Sequence, residues 1–265
     1  MNTLVATTRG LAGAVLRIWT TARPLERSWY VIAAVLFGSG LFHVGELLVT
    51  GASWDGPTSL RKAATFGLSF GLTLASVAWA SSFIRMSATV RGAVLSAFAV
   101  VCVIETTLIT LQAQRGVPSH FNFETPFDTA VSMTLAGGGL VIIVVGLILA
   151  GAALRQTAEL APELRLALRF GFVTLLVAFG TGAIMIATGV TLVRSGDPAT
   201  AYATAGFLKP LHAVAMHAIL VLPGIAWLLG FTGWGPARRL LITRYSVVGY
   251  TLLLAGAVIS SLAGR

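Results

Sequence analysis

Five ionisable side chains stand inside apolar runs of this chain: His43 and Glu46 in one run, Glu105 in a second, His212 and His217 in a third. A charge held in hydrocarbon is costly, so such groups face a bundle interior or a watery cavity and are candidates for function. His43 and Glu46 are three residues apart, on one helical face, where they could share an ion or a proton path. His212 and His217 are five apart, about 140° around a helix, and do not both reach one atom. Two imidazoles from different helices, His43 with His217 or His212, would suit a b-type haem as axial ligands. His43, Glu46, Glu105 and His217 form a mixed nitrogen and oxygen set suited to a transition metal such as Zn, Fe or Mn. Histidines beside carboxylates also make a proton-handling cluster near neutral pH. A purely structural reading stands beside these, in which the same groups hydrogen-bond to one another and select helix neighbours.

The elements that must position these groups follow from composition. Of 265 residues, 56% are hydrophobic and 10% charged, with a mean hydropathy of +0.88. That charge content cannot cover a water-exposed surface of this size. One cysteine, Cys102, excludes an internal disulfide scaffold. The class is an all-α, multi-pass membrane bundle. Seven runs reach the ~20 apolar residues that cross a bilayer: Trp29–Thr50, Ala63–Ile84, Gly92–Gln114, Thr129–Leu154, Leu166–Val193, Leu211–Phe231 and Leu240–Leu262.

The net charge of +9 is not a nucleic-acid signal, because the basic residues are scattered without a dense patch. They report topology. Arg9, Arg17, Arg23, Arg27, Arg85, Arg91, Arg155, Arg165, Arg169, Arg238, Arg239 and Arg244 flank one end of the spans, twelve of the 18 basic residues. The positive-inside rule puts that end, with the N-terminus, in the cytoplasm and the C-terminus outside. Trp29, Trp79, Trp227 and Trp234 then fall at the inner interface and Trp54 at the outer. Residues 1–28 are too polar to span. Leu4, Leu11, Val15, Ile18 and Trp19 share one face, as in an amphipathic helix lying on the cytoplasmic leaflet. Residues 29–265 form the seven-helix domain.

Depth groups the candidates. His43, Glu105 and His217 lie about 10, 13 and 9 Å from the outer ends of their helices. The expectation is one outward-facing site shared by the first, third and sixth spans, with Glu105 and the histidines turned inward. The loop from Arg115 to Asp128 is dense in chemistry, and His120, Arg115, Asn122 and Glu124 are read as a lid over that site. Two outer loops are alike: Trp54-Asp55-Gly56-Pro57 leads to Leu60-Arg61-Lys62, and Gly196-Asp197-Pro198 leads to Leu208-Lys209-Pro210. A parallel duplication would produce that likeness, and so would chance similarity between turn-rich loops. Gly67 and Gly71 form a G-x-x-x-G suited to close helix packing within the chain, and Gly137-Gly138-Gly139 opens the fourth span to contact. No P-loop, dinucleotide fingerprint or H-E-x-x-H is present, and the seventh span lacks the lysine a retinal Schiff base needs.

The stretches from Trp54 to Pro57, from Arg61 to Gly71 and from Gln114 to Asn122 resemble a group of uncharacterised actinobacterial multi-pass membrane proteins. The resemblance covers about a tenth of the chain and implies a bacterial inner membrane, with no activity and no catalytic residue attached. The residues therefore point first to a bilayer-embedded protein holding haem b or a transition metal for redox work, with a small molecule or quinone as ligand. A proton-coupled small-solute transporter is the alternative, and a non-catalytic membrane subunit or assembly factor a third.

Overall fold

The computed structural model describes residues 2–155 and 160–263, side chains of 2–9 and 11 excepted, and is all-α throughout that range. Among the described residues nine helices follow in order: α1 (Asn2–Thr21), α2 (Pro24–Thr50), α3 (Arg61–Ser81), α4 (Ala88–Gln114), α5 (Pro126–Arg155), α6 (Pro162–Arg194), α7 (Pro198–Thr204), α8 (Lys209–Leu229) and α9 (Pro236–Ala263). All but α1 and the seven-residue α7 are long and apolar enough to cross a membrane. Five of the nine begin on proline, whose fixed φ and missing N–H suit the first helical turn. Exposed Leu48, Val49, Leu140, Leu252 and Ile259 cover the outside of the bundle, as a bilayer requires.

The contacts repeat. α2 packs intimately on α3, and α4 lies against both; α6 packs intimately on α8, and α9 lies against both. α3 meets α8 between the two groups, while α5 joins α4 to α6. The bundle is two three-helix units facing the same way, with α5 as the extra crossing that makes this orientation achievable.

Each unit has its own fastening. In the first, a Cβ on Gly67 would stand 2.6 Å from Gly40 N and 2.9 Å from the Leu36 carbonyl, and one on Gly71 2.6 Å from Phe37 N. Glycine is therefore what lets α2 and α3 touch backbone to backbone, and the G-x-x-x-G acts within the chain. In the second unit a Cβ on Gly171 of α6 would stand 3.0 Å from the Ile219 Cα of α8. Ion pairs pin the arginine-rich end of both: Glu26 of α2 to Arg91 of α4 at 2.9 Å, and Glu163 of α6 to Arg239 of α9 at 2.9 Å.

Of the expected amphipathic face, Val15 and Trp19 are exposed while Ala14 is buried; Leu4 and Leu11 lie outside the described side chains. Trp29 departs from the expected interfacial belt. It is 2% exposed, inside the bundle, and donates to Ser96 Oγ at 3.2 Å.

Candidate functional site

The first candidates divide among separate places. His43 and Glu46 do come together, Nδ1 to Oε2 at 2.9 Å, as their spacing requires. Their further partners come from α4: Thr110 Oγ1 lies 3.3 Å from His43 Nε2, and Gln114 Nε2 donates to both Glu46 oxygens at 3.0 and 3.1 Å. Glu105 is on the same helix but about two and a half turns from Gln114, so it faces the opposite way. Its carboxyl, 4% exposed, lies against Gly138 of α5, where any side chain would collide with it. The middle glycine of the triplet thus makes room for a carboxyl rather than for a backbone.

The histidines of α8 go elsewhere again. His212 Nδ1 approaches the Ala178 carbonyl at 2.8 Å and Thr181 Oγ1 at 3.3 Å, both on α6. His217 is exposed on the bundle surface, and its Nδ1 approaches the Ala213 carbonyl of its own helix at 2.6 Å. α8 packs on α6, α9 and α3, and α2 on α3 and α4. The expected site shared by His43, Glu46, Glu105 and His217 is therefore not assembled. Among the described residues, no three His, Cys, Asp or Glu are grouped so as to hold a metal ion.

The loop before α5 folds back into the protein, but over a different target. Gln112 and Arg115 both donate to Asp128 Oδ1, at 2.8 and 2.7 Å, and Thr125 donates to Oδ2 at 2.6 Å. Arg115 also contacts Gln112 Oε1 and lies over the Phe127 ring. Asn122 is 1% exposed; its backbone exchanges hydrogen bonds with Ser132 Oγ, its Oδ1 accepts from Glu124 N, and its Nδ2 is buried with no partner. Glu124 itself is exposed. Phe121, with a left-handed φ of 62°, presses its ring onto Gly189 of α6. His120 stacks near Phe66 of α3 at 5.9 Å, with Ser119 Oγ 3.0 Å from its Nδ1. Burial, and then the nearby charge of Lys62, push the His120 imidazole down to about 3.

Under that loop, where α3 meets α8, lies a group absent from the expected set. Lys62 is within electrostatic reach of Arg61, Lys209 and His120, and Asp55 is an acid within reach of Lys209. Arg61 and Lys62 open α3; Lys209 opens α8. At the other end of the same two helices, Trp79 and Trp227 meet edge to face at 5.8 Å, each flanked by its own phenylalanine: Phe83 at 5.2 Å and Phe231 at 4.8 Å.

The shift along the chain that carries Trp79 onto Trp227 also carries Phe83 onto Phe231, Arg61 onto Lys209 and Arg91 onto Arg239. That single register was the signal in the sequence, and the apolar background hid it. No family model, curated protein or solved structure matches the chain.

Proposed function

We propose that this chain is a small-solute transporter for an organic or inorganic anion, built on two parallel three-helix units, in a bacterial cytoplasmic membrane with the arginine-rich end inside. The observation that carries the reading is the α3–α8 contact: a basic mouth at one end and a closed aromatic pair at the other, formed by corresponding residues of the two units. Parallel repeats related by an axis along the membrane normal are a known transporter plan, with the substrate at the repeat interface. Arg61, Lys62 and Lys209 attract the anion, and His120 with Phe121 covers it. Trp79 and Trp227 close the route beneath until the units rock apart. The His43–Glu46 pair is the group suited to carry a coupled proton, one imidazole joined to one carboxylate.

Uptake of radiolabelled anions into proteoliposomes tests this. Lys62→Gln with Lys209→Gln should lower flux about tenfold, the scale of a lost charge-assisted contact. Flux unchanged in that variant, or absent from wild type across phosphate, sulfate and small carboxylates, overturns the reading. Glu46→Gln should remove the response to a pH gradient while leaving exchange intact.

Among the described residues no three His, Cys, Asp or Glu are grouped so as to hold a metal ion, which favours the transporter over a metal site. A Soret band or stoichiometric metal in purified protein, lost in His43→Ala, would restore that reading. The engagement of His212 and Asp128 between neighbouring segments also suits a non-catalytic subunit, which predicts loss of a partner complex on deletion with His43→Ala tolerated.

A further inference from the structure

At the arginine-rich end a second place has the means to hold an anion. A cavity of about 280 Å³ opens between the start of α2, the α3–α4 connection and the start of α4, lined by Arg23, Glu26, Trp29, Arg85, Met86 and Arg91. Three arginines and one glutamate thus line it. Glu26 is already engaged: its Oε1 pairs with Arg91 and its Oε2 accepts from the Arg23 backbone at 3.0 Å. Arg91 Nε is buried and has no hydrogen-bond partner. Arg239 Nε of the second unit is likewise buried without a hydrogen-bond partner, so it is the cavity and the arginines lining it that set the first unit apart.

The second unit has the same pin, Glu163 with Arg239. Yet the helix-start position held by Arg23 before α2 is Ala161 before α6, and the register that carries Arg91 onto Arg239 carries Arg85 onto Gly233. Arg23 and Arg85 are thus cations that the second unit lacks at the matching positions. The cavity lies at the interfacial end of the spans, with exposed Leu25 beside it. The N-termini of α2 and α4, which favour negative charge, both border it.

We infer that this cavity binds a phosphate group, with Arg23, Arg85 and Arg91 as its donors. A guanidinium matches two phosphate oxygens at once, and basic pockets between spanning helices on the cytoplasmic side suit anionic lipid headgroups. The phosphate belongs either to such a headgroup or to a soluble phosphate ester.

Native mass spectrometry of the purified full chain, offered phosphatidylglycerol or phosphatidylcholine, tests the lipid source. Thermal unfolding with added inorganic phosphate or glycerol phosphate tests the soluble one. Wild type should retain phosphatidylglycerol preferentially, and Arg23→Gln with Arg85→Gln should lower that retention about tenfold. Arg91→Lys keeps a cation for Glu26 while removing Nε, and should weaken retention by a smaller factor. Arg244→Gln, at the same end and outside the cavity, should leave it unchanged. Stabilisation by soluble phosphate that the double variant loses, without lipid preference, upholds the site and assigns the soluble source. Wild type indifferent to lipid charge and to phosphate overturns the proposal. So does a double variant with wild-type helicity that binds either ligand as wild type does.

Discussion

The two three-helix units share a frame and differ in what they put on it. Both pin their first and third helices with a Glu–Arg pair, and both end their middle helix in a Trp–Phe pair. The first unit seals its helix pair with glycines against backbone. The second has Ala215 where the first has Gly67 and Ile219 where it has Gly71, with Gly171 supplying the space from the other side. The ionisable groups within the spans differ most: His43, Glu46 and Glu105 belong to the first unit, while the second has His212 and the exposed His217. What recurs is what folding needs. What does not recur is where the chemistry should be sought.

Packing offers the largest contrast. Gly67→Ala forces two backbones apart and should cost about 3 kcal/mol, an overpacking penalty at the upper end of the usual range. The corresponding Ala215→Gly should cost about 1 kcal/mol, mostly helix propensity. Thermal unfolding in detergent measures both, and equal losses would break the distinction between the two seals.

The ion pairs come next. The Glu163 side chain is 3% exposed and that of Glu26 19%. Glu163→Gln, which leaves Arg239 without its counter-charge, should cost about 2 kcal/mol. Glu26→Gln should cost about 1 kcal/mol or less, because water screens the pair. Equal losses would mean that burial does not set the strength of these pins.

Trp79 and Trp227 sharpen the likeness instead. If they are two halves of one closure, Trp79→Ala and Trp227→Ala should raise passive leak of small anions through proteoliposomes by similar factors. The double variant should leak little more than either single one, since one missing ring already opens the pair. Leak from one variant alone would assign the closure to one unit.

The smallest effect concerns the loop that covers both units. The enclosed His120 titrates at about 3, against about 6.5 when the loop is open. Between those values the opened loop binds a proton that the closed loop does not. Closure is therefore fully stable above about 6.5 and loses stability as pH falls toward 3. Hydrogen exchange of residues 117–123 should accelerate from pH 7.5 to pH 5 beyond the intrinsic rate change, and His120→Gln should flatten that slope.

The spans were legible from hydropathy because hydrocarbon thickness sets length; their starts were less so, since Pro24, Pro126, Pro162 and Pro236 open four of the seven helices before the apolar runs begin. Position along each helix was legible too, since rise per residue is fixed. Direction around the axis was not. Thr110 and Gln114 face α2 while Glu105, five residues before Thr110, faces α5, and no count of residues from a helix end distinguishes those faces. The likeness of the outer loops pointed toward the repeat, but the stronger match lay in Trp79, Phe83 and Arg91 against Trp227, Phe231 and Arg239. Aromatic and arginine residues near span ends are ordinary enough to pass unremarked.

α5 belongs to neither unit, and its odd crossing has a consequence for ancestry. A three-span polypeptide starts and finishes on opposite sides of the membrane. Two such polypeptides can pair as a symmetric dimer with no linker, each inserted the same way up. Joining them end to end would turn the second upside down unless one more crossing is added. α5 is that crossing, and it also carries contacts of its own: Asp128 is held by Gln112, Arg115 and Thr125, and Ser132 by the Asn122 backbone. The linking helix thus has to fit as well as reach: at Gly138 and Gly146 only glycine fits, because Glu105 and Phe179 occupy the space where a side chain would stand.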